Sequence, residues 1–183
     1  MTGRPNGSVL RILLVLLMVT LSLVSLPGLA GMRINTTDSV PKGFYLIAED
    51  QHAPFVEFCP EGLFSQLSSA RGYRPAGVCP DGAAPLIKPV IARARDIVVV
   101  SAEGVRVNGS LLPNTVPKNL DAAGRPLPVW PPGTYAVAPE MVWVASTYHP
   151  NSFDSRYFGP ISIRAIRHWL RPLWVLGSAP TAR

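Results

Sequence analysis

The sequence predicts a mainly β, antiparallel domain set behind one apolar N-terminal helix. Three observations predict it. Twenty prolines and fifteen glycines are spread along the chain, too often for long helices, because proline removes an amide donor and fixes φ. Short runs rich in β-branched residues recur between these breakers, and one ends in Asn108-Gly109, a strong hairpin signal. Ahead of them, residues 12–26 read ILLVLLMVTLSLVSL and hold no charge.

A chain of 183 residues, 48% hydrophobic and 15% charged, is bounded to one folded domain with appendages. The net charge of +6 would suit a polyanion. The basic residues are scattered and make no phosphate-tracking run, so nucleic acid is not an expected partner and an anionic membrane surface is.

The first element is the apolar run. Residues 9–30 fall within the ~17–25 residues that a helix needs to cross the hydrocarbon, with Arg11 near one end able to snorkel. Arg4, Arg11 and the amino terminus lie at its start, so the positive-inside bias leaves residues 1–8 in the cytoplasm and exports everything after the helix. A second reading fits the same residues: a cleaved signal peptide with Gly28-Leu29-Ala30 as its small-x-small cleavage site. Both readings export the domain.

In the exported part, Phe44 to Ala48 alternates as a strand after the turn at Pro41 to Gly43, which puts Ser39 at a strand entrance. Residues 61–71 have helical promise, with Leu63, Phe64 and Leu67 on one side. Residues 85–92, 96–100 and 105–110 read as strands. A proline-rich connector at 113–132 resists regular structure, and residues 135–138 and 141–145 supply two more strands. Near the end, Arg164, Arg167, His168 and Arg171 are interleaved with Ile163, Ile166, Trp169 and Leu170. That segment reads either as a basic amphipathic helix on a membrane or as a closing strand followed by a basic turn. Phe44, Trp169 and Trp174 read equally as interfacial anchors or as core.

Cys59 and Cys79 have neither Cys-x-x-Cys spacing nor histidines in ligand register, so no metal site is expected. In an exported domain a disulfide between them is expected, with two buried thiols as the alternative. It would pin residues 54–81 as an insertion and remove ~3 kcal/mol of unfolded-chain freedom.

A lone serine such as Ser39 is ordinarily a turn residue. Lys88 changes its meaning. It interrupts an apolar strand between Ile87 and Pro89, where burial disfavours the ammonium form and makes the amine a candidate base for a serine hydroxyl.

Four stretches then resemble, in order, the boxes of the type I signal peptidases. They are Thr37-Asp38-Ser39-Val40-Pro41; Leu86-Ile87-Lys88-Pro89-Val90 with Asp96-Ile97-Val98; Val105-Arg106-Val107-Asn108-Gly109; and residues 151–159, NSFDSRYFG. The Pro41-Lys42-Gly43-Phe44-Tyr45 continuation, the cysteine-bracketed insertion and residues 149–156 are more similar to the TraF-type branch, the conjugative-transfer peptidases that mature pilin subunits. The resemblance implies a signal peptidase-like antiparallel sheet or barrel over residues 31–183, in the periplasm behind a retained anchor of the bacterial inner membrane.

By the same resemblance Ser39 is the nucleophile and Lys88 the general base, with no cofactor. The oxyanion falls to the Ser39 amide and the Thr37 hydroxyl, although Thr37 stands where a serine is usual. Ser152 orients the lysine amine, and Asp154 and Arg156 form a partly buried supporting pair. Ala145-Ser146-Thr147-Tyr148 departs from the Gly-Asp-Asn run of housekeeping enzymes. Implied partners are a pilin-like precursor, the lipid bilayer and the conjugative transfer apparatus, and the branch adds cyclisation of the product by transpeptidation. Rival readings are a general signal peptidase, a Ser39-His149-Asp154 triad, and a non-catalytic tethered scaffold in which Lys88 is a strand-edge charge.

Overall fold

Short apolar runs between the breakers build two antiparallel sheets in the computed structural model, which describes residues 7–29 and 31–177, with backbone alone for 24–29. The expected tail at residues 1–8 lies mostly outside these residues, as does Ala30 of the cleavage-site reading.

Helix α1 (Gly7–Leu29) occupies the apolar run over 23 residues, about 34 Å at the usual rise. Its large apolar side chains from Val9 to Leu23 are exposed. Among the described residues no helix is long and apolar enough to cross a membrane, and the described side chains of α1 stop at Leu23. The anchor expected at residues 9–30 is therefore a helix here, not a demonstrated span.

After it come β1 (Met32–Asn35), β2 (Lys42–Ala48), β3 (Phe55–Phe58), α2 (Gly62–Ala70), β4 (Leu86–Ala92), β5 (Ile97–Ser101), β6 (Gly104–Val107), β7 (Ser110–Leu111), β8 (Gly133–Ala136), β9 (Met141–Val144), α3 (Ser155–Phe158), β10 (Ile161–Ser162) and β11 (Ile166–Leu176). One sheet has the order β1-β2-β11-β3-β4-β9-β10 and the other β7-β6-β5-β8. Phe58, Val56, Val144 and Trp169 pack in the larger sheet, and Val98, Val100, Val105 and Trp143 in the core beneath the smaller one. Asn108 and Gly109 both have positive φ, 49° and 85°, as the primed hairpin turn between β6 and β7 requires.

Gly43 explains the glycine that follows Pro41 and Lys42. Its φ is +146°, and a Cβ there would lie 2.2 Å from the Trp174 carbonyl oxygen on β11. Only glycine lets β2 and β11 approach so closely behind the Ser39 turn.

Three segments differ from the sequence reading. β1 and β3 were not expected, because Arg33 and Glu57 break their short apolar patterns. The charges are answered across the sheet: Glu57 accepts from Arg33 Nε at 3.0 Å and meets His168 Nδ1 at 2.5 Å. All four residues of β3 are buried between β11 and β4. The excursion therefore begins at Cys59, not at residue 54, and Cys59 and Cys79 are disulfide-bonded at its base. Of the two readings of the basic C-terminal segment, the closing strand holds and the amphipathic helix does not. β11 pairs with β2 on one side and β3 on the other, burying Trp169 and Leu170 while Arg167 and Arg171 face out. Trp169 is thus core, whereas Trp174 is 59% exposed against the Phe44 ring.

Candidate active site

Lys88 lies in the middle of β4, opposite Val56 on β3. The strand has neighbours on both edges, so Lys88 is not an edge charge, and the residue is 2% exposed. Its Nζ lies 2.8 Å from Ser39 Oγ and 2.7 Å from Ser152 Oγ, and the two hydroxyls are 3.3 Å apart. Burial lowers the Lys88 pKa to about 8; Asp154 opposes the shift and Arg156 adds to it. A neutral amine here has one lone pair for the Ser39 proton and N–H donors left for Ser152.

The Ser39 turn between β1 and β2 is organised by Asn35, which the sequence reading missed. Asn35 is 5% exposed. Its Nδ2 donates to the carbonyls of Thr37, Val40 and Pro41 at 2.8, 3.0 and 3.2 Å. Its Oδ1 accepts from the Thr37 amide at 3.2 Å and the Thr37 hydroxyl at 2.8 Å. The signal for it was local: an asparagine two residues before a turn binds the backbone that follows. Thr37 lines the cleft, yet its hydroxyl proton is directed at Asn35, and an oxyanion contact requires that bond to be exchanged.

Asp154 and Arg156 are 0% exposed, deeper than the partial burial expected. They pair through both carboxylate oxygens, each at 2.8 Å. Arg156 also donates to the Ser152 carbonyl at 2.8 Å and to those of Pro150 and Asn114 at 3.0 Å. The pair thus ties the strand-to-helix turn carrying Ser152 to the connector. It leaves no place for the triad reading, since Asp154 is committed to Arg156 and to the Ser146 amide. His149 Nδ1 accepts from the Asn151 amide instead.

The Ser39, Lys88 and Ser152 side chains open into a cleft of about 450 Å³ with apolar Ile34, Leu86, Leu120 and Leu127 on its walls. One wall is the disulfide-pinned excursion, whose Tyr73 ring packs 5.4 Å from Phe153. The other is the proline-rich connector. Tyr73 and Arg125 both hydrogen-bond to Asp121, which stitches the two walls together. Loops without a periodic pattern give the sequence no way to place these residues beside Ser39 and Lys88.

The family model for the signal peptidases, peptidase S26, matches residues 8–174. The chain belongs to that family. The chain is 42% identical over 148 residues to a plasmid transfer protein TraF of Escherichia coli, covering 79% of this chain and 83% of that one. A probable conjugal transfer protein TraF of Sinorhizobium fredii is 36% identical over 154 residues, covering 81% and 80%. A solved signal peptidase I of Enterococcus faecalis V583 aligns at 17% identity with a TM-score of 0.35, over 72% of this chain and 99% of that one.

Proposed function

We propose that this signal peptidase relative is a membrane-anchored serine endopeptidase that uses Ser39 and Lys88 to process an exported pilin-like precursor for conjugative transfer. One observation carries the reading: a fully buried amine with its pKa lowered to about 8 lies 2.8 Å from a serine hydroxyl at the foot of a cleft. The similarity to TraF proteins supports a transfer substrate over general signal-peptide removal.

Neutral Lys88 takes the Ser39 proton as Oγ attacks the scissile carbonyl, and the resulting ammonium returns it to the leaving amine. The Ser39 amide and a reoriented Thr37 hydroxyl receive the oxyanion. The acyl group on Ser39 then passes to water or to the substrate's own amino terminus. The exposed apolar side chains of α1 support an anchor that holds Ser39 beside the inner membrane, with the amino terminus cytoplasmic and the sheets periplasmic.

Co-expression with a pilin-like precursor and intact mass spectrometry tests this. Ser39→Ala, Lys88→Ala and Lys88→Arg each leave the precursor uncut in folded, membrane-bound protein, because guanidinium stays protonated and alanine has no base. Cleavage by the Lys88→Ala protein sinks the dyad. A product one water lighter than the linear chain marks cyclisation, and a linear product marks hydrolysis.

A further inference from the structure

Most charges along the cleft are answered from within the protein. Arg74 is 4% exposed, pairs with Asp81, and donates to Ser68 Oγ at 2.9 Å and the Ala84 carbonyl at 3.1 Å. The Asp121 carboxylate is held by the Tyr73 hydroxyl, by Arg125 Nε at 2.7 Å and by Arg71 at 3.5 Å. Neither group has charge to spare for a ligand.

Lys118 differs. It lines the same cleft and is exposed. Its ammonium donates to Asn151 Oδ1 and makes no ion pair among the described residues. An amide oxygen satisfies one of three N–H donors and supplies no charge. The cleft therefore presents an uncompensated cation above apolar walls.

We propose that Lys118 selects substrate by taking a carboxylate of the peptide bound in the cleft. Its place follows from the chain. Asn151 is the neighbour of Ser152, whose hydroxyl lies 3.3 Å from that of Ser39. The path from ammonium to nucleophile is at most about 15 Å, which about four extended residues span. The carboxylate thus lies within that distance of the scissile bond, as an Asp or Glu side chain or as the end of the peptide. This rests on reading the cleft as a peptide site.

The test is binding by full-length Ser39→Ala protein in detergent micelles, read by fluorescence anisotropy. The probes are labelled alanine-rich decapeptides with amidated ends and one glutamate moved stepwise along the chain, against glutamine twins. An all-alanine pair with a free or amidated carboxyl terminus completes the set. A glutamate at one or two positions, or the free terminus, is expected to bind about three- to tenfold tighter than its neutral twin at low salt, with the gain reduced at high salt. The first outcome assigns a side-chain carboxylate and the second a chain end. Lys118→Met abolishes the preference, and Lys118→Glu reverses it, so that the neutral twin binds tighter. Equal binding of every twin, no binding at all, or a preference that survives Lys118→Met overturns the proposal. Cleavage of the same peptides by wild type and by Lys88→Ala protein is scored separately. Failure there strikes the endopeptidase reading, while the twin ratio strikes Lys118 alone.

Discussion

Burying the Lys88 amine has a measurable consequence for stability. The unfolded chain holds this amine at 10.5 and the folded protein at about 8. Between those values the unfolded state binds more protons, so stability rises with pH. The cost of the buried ammonium is full below pH 8, shrinks through the window and is absent above 10.5. That separation corresponds to about 3 kcal/mol, of which roughly 1–2 kcal/mol is relieved between pH 7 and pH 9. Lys88→Met removes the titration while nearly filling the volume, and Ser39 and Ser152 remain close enough to bond each other. Subtracting its melting curve cancels every other titrating group. Circular dichroism melts in detergent should show wild type gaining roughly 3–5 °C on the variant from pH 7 to pH 9. Parallel curves for the two proteins, or a gap that closes in the opposite direction, would refute the account of a desolvated amine.

Three further outcomes follow from the same geometry. The wild-type kcat/KM for a cleavable peptide should climb about tenfold per pH unit and level off above about pH 8, as Lys88 loses its proton. Ser152→Ala removes the 2.7 Å contact that orients the amine; single-turnover acylation should slow by about 10–100-fold, a share of what a positioned base contributes, with KM little changed. Reducing Cys59–Cys79, which spans 20 residues, should cost about 3 kcal/mol in the loop-entropy account, visible as a lower melting temperature in dithiothreitol. An unchanged melting temperature would mean that the excursion is held by its other contacts.

Periodicity and turn chemistry carried a good part of this protein. The apolar helix, α2, the strands β2, β4, β5, β6 and β9, and the Asn108-Gly109 hairpin were legible, because each depends on residues a few positions apart. The paired cysteines and the four boxes were legible too, since residue types and their order are one-dimensional facts. The short strands β1 and β3 were hidden by Arg33 and Glu57, whose charges are neutralised only across the sheet. The strand β11 was hidden by an ambiguous pattern, which pairing with β2 and β3 resolved.

By itself the sequence determined an apolar leading helix, a β-rich body broken by proline and glycine, and a lysine placed inside an apolar strand. The resemblance named Ser39 and Ser152 as this lysine's partners; tertiary structure alone decided that its amine lies 2.8 and 2.7 Å from their hydroxyls, 49 and 64 residues away, and loses its water there. It also decided that Asn35 shapes the Ser39 turn and that two loops without periodicity close a cleft where Lys118, exposed at its wall, makes no ion pair among the described residues. The physical reason is that desolvation and charge compensation depend on which groups surround an atom in space, and that set is assembled only when distant segments pack.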